Sequence, residues 1–173
     1  MSPRVVLIGA MGAGKTTVGG LLAEAWGVGF RDTDHDVEAA TGRSISDIFV
    51  EDGEATFRAL ERSAVAVALA EHRGVLALGG GAVLDESTQA LLTDQTVVYL
   101  EVGLADASQR VGLGVSRPML LGNVRGRVKQ LLDERAPIYR RLATVTVNTD
   151  GRSAQAVADE VRAAIDHKDG VYE

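Results

Sequence analysis

Four apolar residues, Val5-Val6-Leu7-Ile8, run straight into Gly9-Ala10-Met11-Gly12-Ala13-Gly14-Lys15-Thr16, and a helical pattern follows from Lys15 to Trp26 with Val18, Leu21, Leu22 and Ala25 on one stripe. A short buried strand, a glycine loop and an amphipathic helix in immediate succession leave few folds open, because the strand needs cover on both faces and the helix must pack back onto it. The eight residues fit G-x-x-x-x-G-K-[ST] in the context that motif requires. Its glycines let successive N–H groups turn inward at phosphate oxygens, and the helix N-terminus adds partial positive charge. Lys15 can then reach the β and γ oxygens of a nucleotide, and the Thr16 hydroxyl can ligate Mg²⁺. The bland alternative is a glycine-rich turn with an exposed lysine.

The same alternation continues along the chain. Gly27-Val28-Gly29 ends the first helix, a brief strand at Gly29 to Arg31 leads to Asp32-Thr33-Asp34, and helical pieces follow at His35 to Ala40 and Ser44 to Val50. The second of these opens with a Ser44-x-x-Asp47 cap. Glu54 to Glu71 is the longest helical pattern; Val75 to Leu78 is a buried strand closed by Gly79-Gly80-Gly81. A short helix at Ser87 to Leu92, a strand at Thr96 to Val102 and a helix at Ala105 to Val111 come next. Leu113 to Asn123 lacks periodicity and is flanked by glycines, which reads as a loop or lid. Helix returns from Arg125 to Leu142, interrupted by Pro137, and Thr144 to Asn148 and Ser153 to Asp166 are the last strand and helix. The tail from His167 carries no signal. Five apolar strands interleaved with helices predict a three-layer α/β/α domain around a five-stranded parallel sheet. The 173 residues suit one such domain.

Composition removes several function classes. With no cysteine there is no disulfide framework, thiolate metal site or cysteine nucleophile, and the cytoplasm is the expected location. A net charge of −6 opposes a nucleic-acid partner. The apolar runs are far shorter than a bilayer span, so no membrane association is expected. No N-K-x-D guanine motif is present, and the strand Val75 to Leu78 ends in glycines where a motor ATPase usually carries acidic residues.

The carboxylates for a metal must then come from elsewhere, and Asp32 and Asp34 at the end of the second strand are the candidates. In extended chain a spacing of two points both side chains the same way, at the strand ends where open α/β sheets bind ligands. One could hold Mg²⁺ while the other orients or deprotonates an acceptor hydroxyl; either could instead cap the following helix. Arg58 and Glu61, one turn apart on the long helix beside Phe57, read as a substrate-facing pair or as an ordinary surface ion pair. Gly79-Gly80-Gly81 reads as a tight strand exit or as a place where something approaches the backbone closely. Arg117, in the glycine-flanked loop, can close over transferring phosphates or remain a solvated loop residue.

Taken in order, Gly9 to Thr16, Asp32-Thr33-Asp34, Phe57-Arg58-x-x-Glu61, Gly79-Gly80-Gly81, Arg117-Pro118 and Arg135-Ala136-Pro137-x-Tyr139 closely resemble the shikimate kinase family, from about Val5 to about Asp150. The phosphate loop is shared by many families, whereas the other motifs in combination are specific to this one. The resemblance implies a nucleoside-monophosphate-kinase-like fold with a core, a shikimate-binding region at about 33–61 and a lid at about 112–124. It implies transfer of the γ-phosphoryl group of ATP to the 3-hydroxyl of shikimate, on the route to chorismate and aromatic amino acids, by a monomer. In that reading Gly12, Ala13, Gly14, Lys15, Thr16 and Thr17 hold ATP with Arg110 against adenine, and Thr16 and Asp32 hold Mg²⁺. Asp34 meets the acceptor hydroxyl. Arg58, Arg135, Gly80 and Gly81 bind shikimate, both arginines on its carboxylate, where a planar guanidinium forks well. Glu61 orients Arg58, Phe49 and Phe57 line the ring site, and Arg117 is the lid arginine. Met119 stands where the family usually has Leu, a volume-conserving change, and no strong adenine motif lies near Arg152-Ser153. A gluconate-type or nucleotide-type kinase on the same fold, and a nucleotide-binding regulatory module, are the rival readings. The first fits poorly with Arg58, Arg135 and Gly80, and the second with Lys15, Asp32, Asp34 and Arg117 all being present.

Overall fold

A computed structural model describes residues 2–112 and 124–170. Five strands form one parallel sheet in the order β2-β3-β1-β4-β5: β1 Val5–Ile8, β2 Phe30–Asp32, β3 Val75–Ala77, β4 Val97–Glu101 and β5 Val145–Asn148. The helices between them are α1 Lys15–Trp26, α2 Thr33–Thr41, α3 Ile45–Asp52, α4 Glu54–Glu71, α5 Glu86–Leu92, α6 Leu104–Gly112, α7 Val124–Leu142 and α8 Ala154–Gly170, with a 3-10 turn at Ala82–Leu84.

Alternation along the central strand sorts the core into layers. Val5 and Leu7 face a cluster with Val18 and Leu22 of α1 and Val157, Val161 and Ile165 of α8. Val6 and Ile8 face the other way, onto Val65 and Leu69 of α4, Leu92 of α5 and Tyr139 of α7. Every residue of β1 and β3 is buried, as a sheet covered on both faces requires. A third, smaller cluster of Val37, Ile45, Ile48 and Phe57 joins α2, α3 and α4 and includes no strand residue.

Local signals set most boundaries. Gly27 takes φ 66° and caps α1, and the Ser44 side chain accepts from the Asp47 N–H at the start of α3. Three expectations are corrected. Pro137 lies inside a continuous α7: it forfeits one backbone bond, but Arg135 and Tyr139 on either side of it are buried and hold both halves in line. The last helix does not stop at Asp166, because no helix breaker precedes Gly170 and α8 runs to that residue. The third correction concerns the acidic pair, since β2 ends at Asp32 and Asp34 is already in the first turn of α2. The expected lid at Leu113 to Asn123, with Arg117, lies outside the described residues.

Candidate active site

The phosphate loop leaves β1 beneath the C-terminal edge of the sheet and ends in α1. Gly12 (φ 80°) and Gly14 (φ 92°) carry its left-handed turns, a backbone only glycine adopts without strain. Lys15 Nζ donates to the loop's own carbonyls, Gly9 O at 2.6 Å and Ala10 O at 3.0 Å. A pocket above the loop is lined by Gly12, Gly14, Lys15, Thr16, Thr17 and Asp32, with Leu78 and Gly79 from the end of β3. Ala13 is not in its wall: it is buried beneath, at 2% exposure.

Asp32 has two tasks there, one for each oxygen. Oδ1 accepts the Asp34 N–H at 2.8 Å, capping α2, and Oδ2 accepts the Thr16 hydroxyl at 3.4 Å. The cap and the metal-facing role, alternatives on sequence grounds, are therefore compatible in one side chain. Asp34, turned by the helix, reaches a different place. It lines both the phosphate pocket and a second cavity, and Met11 and Gly80 are the other residues common to the two.

That second cavity collects Asp34, Phe49, Phe57, Arg58, Glu61, Gly80, Gly81 and Arg135, side chains from four helices and backbone from the β3 exit. Phe49 and Phe57 pack at 4.9 Å between ring centres. Arg58 Nη1 donates to Glu61 Oε1 at 2.9 Å, and Glu61 is 3% exposed, so this pair is not the surface contact that helical spacing alone allows. Arg135 is 5% exposed, and its Nε has no hydrogen-bond partner among the described residues. A buried guanidinium with a donor in reserve is costly until an acceptor meets it. Two residues of the cavity carry no signal in the sequence, Met11 and Ile45; one is a free position of the phosphate loop and the other reads as core.

Of the three glycines after β3, Gly79 and Gly81 owe their identity to crowding. None takes a positive φ. A Cβ at Gly79 would lie 2.5 Å from Asp34 Oδ1 and 3.0 Å from Glu61 Oε2, one at Gly80 3.4 Å from Arg135 Nη1, and one at Gly81 would meet the Arg58 guanidinium. Gly79 and Gly81 thus make room for charged groups of the cavity, whereas a Cβ at Gly80 would meet its neighbours in ordinary contact.

Burial holds the Glu61 carboxyl above its ordinary value, against the pull of Arg58, and Asp34 pushes it further up. The folded chain keeps this proton to higher pH than the unfolded chain, so the contribution of Glu61 to stability falls as pH rises through the window just above the ordinary carboxylate value. Glu61→Gln, which never ionises, should flatten that part of the pH–stability curve; denaturant midpoints measured from about pH 4 to 7 check it.

At the far end of the sheet, the loops after β4 and β5 are tied together. The Gly103 N–H donates to Asp150 Oδ1 at 2.8 Å, the Gly151 N–H to Asp106 Oδ2 at 2.9 Å, and the Thr149 hydroxyl to Glu101 O at 2.9 Å. Arg152 turns onto Asn148 O at 2.9 Å and Glu160 at 3.1 Å. Arg110 lies in α6, but its side chain, like all of Arg117, lies outside the described residues.

A family model described as shikimate kinase matches residues 11–166 of the chain. The chain is 59% identical over 165 residues to a shikimate kinase of Salinispora arenicola, covering 95% of this chain and 99% of that one. It is 58% identical over 168 residues to one of Thermobifida fusca, covering 95% and 98%. Among solved structures it is similar to the shikimate kinase of Acinetobacter baumannii in complex with shikimate, with a TM-score of 0.91, 36% identity and coverage of 97% and 96%.

Proposed function

Because the chain belongs to the shikimate kinase family, we propose that it moves the γ-phosphoryl group of ATP to the 3-hydroxyl of shikimate, within aromatic amino acid biosynthesis. The observation that carries the residue roles is the shared wall. The phosphate pocket and the cavity with Arg58 and Arg135 have Met11, Asp34 and Gly80 in common, so a donor phosphate in one and an acceptor in the other meet at Asp34.

Lys15 and the loop amides hold the β and γ phosphates, Lys15 leaving Gly9 O and Ala10 O to do so. Arg58 and Arg135 take the carboxylate of shikimate, which gives the buried Arg135 Nε the acceptor it lacks. Glu61 aims Arg58, and Phe49 and Phe57 cover the apolar side of the ring. Asp34 accepts the hydroxyl proton as the oxygen bonds to the γ phosphorus and the bond to the β–γ bridging oxygen breaks, leaving ADP and shikimate 3-phosphate. Arg117 is assigned to the lid over the phosphates, and Arg110 to adenine, by likeness of sequence alone.

Thr16 and Asp32 suit Mg²⁺. They bring a hydroxyl and a carboxylate oxygen to one point of the phosphate pocket, and no group of three or more acidic or histidine residues able to hold an ion by itself occurs among the described residues. A cation that takes one or two protein oxygens and completes its shell with phosphates and water fits that donor set. When bound, it neutralises charge on the β and γ phosphates. No described helix is long and apolar enough to cross a membrane.

The direct test is ADP release in a coupled assay. Release should depend on shikimate and not arise with gluconate or a nucleoside monophosphate; equal release without shikimate would overturn the acceptor assignment. A finer check uses Gly81, whose Cβ in Gly81→Ala would displace only the movable end of Arg58. The KM for shikimate should rise about fivefold with the melting temperature nearly unchanged.

A further inference from the structure

Thr33, at the centre of Asp32-Thr33-Asp34, and Tyr139, at the end of Arg135-Ala136-Pro137-Ile138-Tyr139, carry hydroxyls that have no part in this mechanism. Both are fully buried, at 0% exposure. Both reach the same short piece of backbone, one from α2 and the other from α7. The Gly79 N–H donates to Thr33 Oγ1 at 3.3 Å, and the Tyr139 hydroxyl donates to Gly80 O at 2.5 Å. We propose that Thr33 and Tyr139 are positioning residues that clamp the Gly79-Gly80-Gly81 strap and thereby fix the spacing between the phosphate pocket and the shikimate cavity.

The strap needs holding from outside because glycine has no side chain to anchor it and the widest choice of backbone conformation. Its position matters to both substrates. A Cβ added at Gly80 would stand 3.4 Å from Arg135 Nη1, 3.5 Å from Met11 N and 3.6 Å from Gly9 O, so Gly80 lies against both Arg135 and the phosphate loop. A shift of the strap therefore moves the boundary between an arginine of the acceptor cavity and the phosphate loop. Thr33 ties the strap to the start of α2, one residue from Asp34. Tyr139 ties it to α7, one turn from Arg135, whose guanidinium also bonds the Tyr139 hydroxyl. The tyrosine is fixed in its turn by stacking on Tyr99, with ring centres 5.0 Å apart. Burial pushes the Tyr139 hydroxyl up to about 12, so it stays a donor across the working pH range.

The proposal rests on the acceptor reading of the cavity, and the test keeps the two apart. Thr33→Val and Tyr139→Phe each remove one bond with almost no change of shape, Thr33→Ser keeps the hydroxyl, and Arg135→Lys reports on the acceptor cavity itself. Steady-state kinetics are measured well below each variant's melting temperature. With both substrates saturating, Thr33→Val and Tyr139→Phe should lose about tenfold or more in kcat, because misalignment of bound substrates is not repaired by saturation. Thr33→Ser should restore most of kcat, whereas Arg135→Lys should lose chiefly in the KM for shikimate. If kcat in Thr33→Val and Tyr139→Phe stays within about twofold of the parent, whatever their melting temperatures, the clamp is overturned while the acceptor reading stands on Arg135→Lys. Should Thr33→Val not fold, Tyr139→Phe with the serine variant decides the matter. If Arg135→Lys leaves the KM for shikimate unchanged, the acceptor reading falls and the clamp falls with it.

Discussion

Asp34→Asn should lower kcat by about a hundredfold or more while MgATP binds as before, because an amide cannot take the hydroxyl proton and general-base contributions run from about 10² upward. The shape is conserved, and Asp34 sits beyond the Asp32 cap that fixes the start of α2. Asp32→Asn should behave differently. Asparagine caps a helix about as well as aspartate, so α2 should survive, but the oxygen that faces Thr16 loses its charge and the Mg²⁺ concentration needed for half-maximal activity should rise. Magnesium titration of both variants at saturating shikimate separates them. Parallel responses, or a metal-limited Asp34→Asn, would show that the roles are assigned wrongly. The size of the Asp34 effect also measures the base itself, since phosphoryl transfer passes through a loose transition state in which positioning supplies much of the rate.

The second large effect is expected at Arg135. Arg135→Lys keeps a positive charge in a site that is 5% exposed but replaces a planar fork with a point donor. A bidentate carboxylate contact is worth about 1.5 to 3 kcal/mol, so the KM for shikimate should rise roughly 10- to 150-fold. The affinity for ADP, measured by calorimetry, should hold, because Arg135 is no part of the phosphate pocket. Unchanged shikimate affinity would place the carboxylate elsewhere.

The parts of the molecule that can be read from the chain are those whose signals are local. Helices α1 and α4 span the residues that their helical patterns mark out, with Gly27 ending α1 as its position predicts, although Ala25, counted on the apolar stripe of α1, is exposed and Ala23 is buried in its place; the loop between β1 and α1 declares its chemistry in eight consecutive residues. Asp32 and Asp34 show where such reading runs out. A spacing of two is the same string whether both residues lie on a strand or the first caps a helix that holds the second. Only the turn of α2 sends the carboxylates to different cavities. Pro137 misleads for the opposite reason, because its local cost is real and what outweighs it, the burial of Arg135 and Tyr139, depends on parts of the fold distant along the chain. The acceptor cavity, assembled from α2, α3, α4, α7 and the β3 exit, could be anticipated residue by residue only through likeness to a family. Spacing along the chain does not disclose that Arg135 comes to rest beside Gly80.

The division of the core bears on how the molecule comes apart. The cluster of Val37, Ile45, Ile48 and Phe57 contains no strand residue, so the α2–α3 segment can open without exposing the valines and leucines of the sheet. Opening at that level costs less than global unfolding. It would carry away Asp34 and Phe49 while β1 and the phosphate loop stay formed. If the acceptor occupies the cavity lined by Ile45, Phe49 and Phe57, as proposed, it should suppress such opening in proportion to its occupancy, and nucleotide should suppress it less. Resistance to local proteolysis within residues 33–52 is in this sense a thermometer for one substrate and nearly blind to the other.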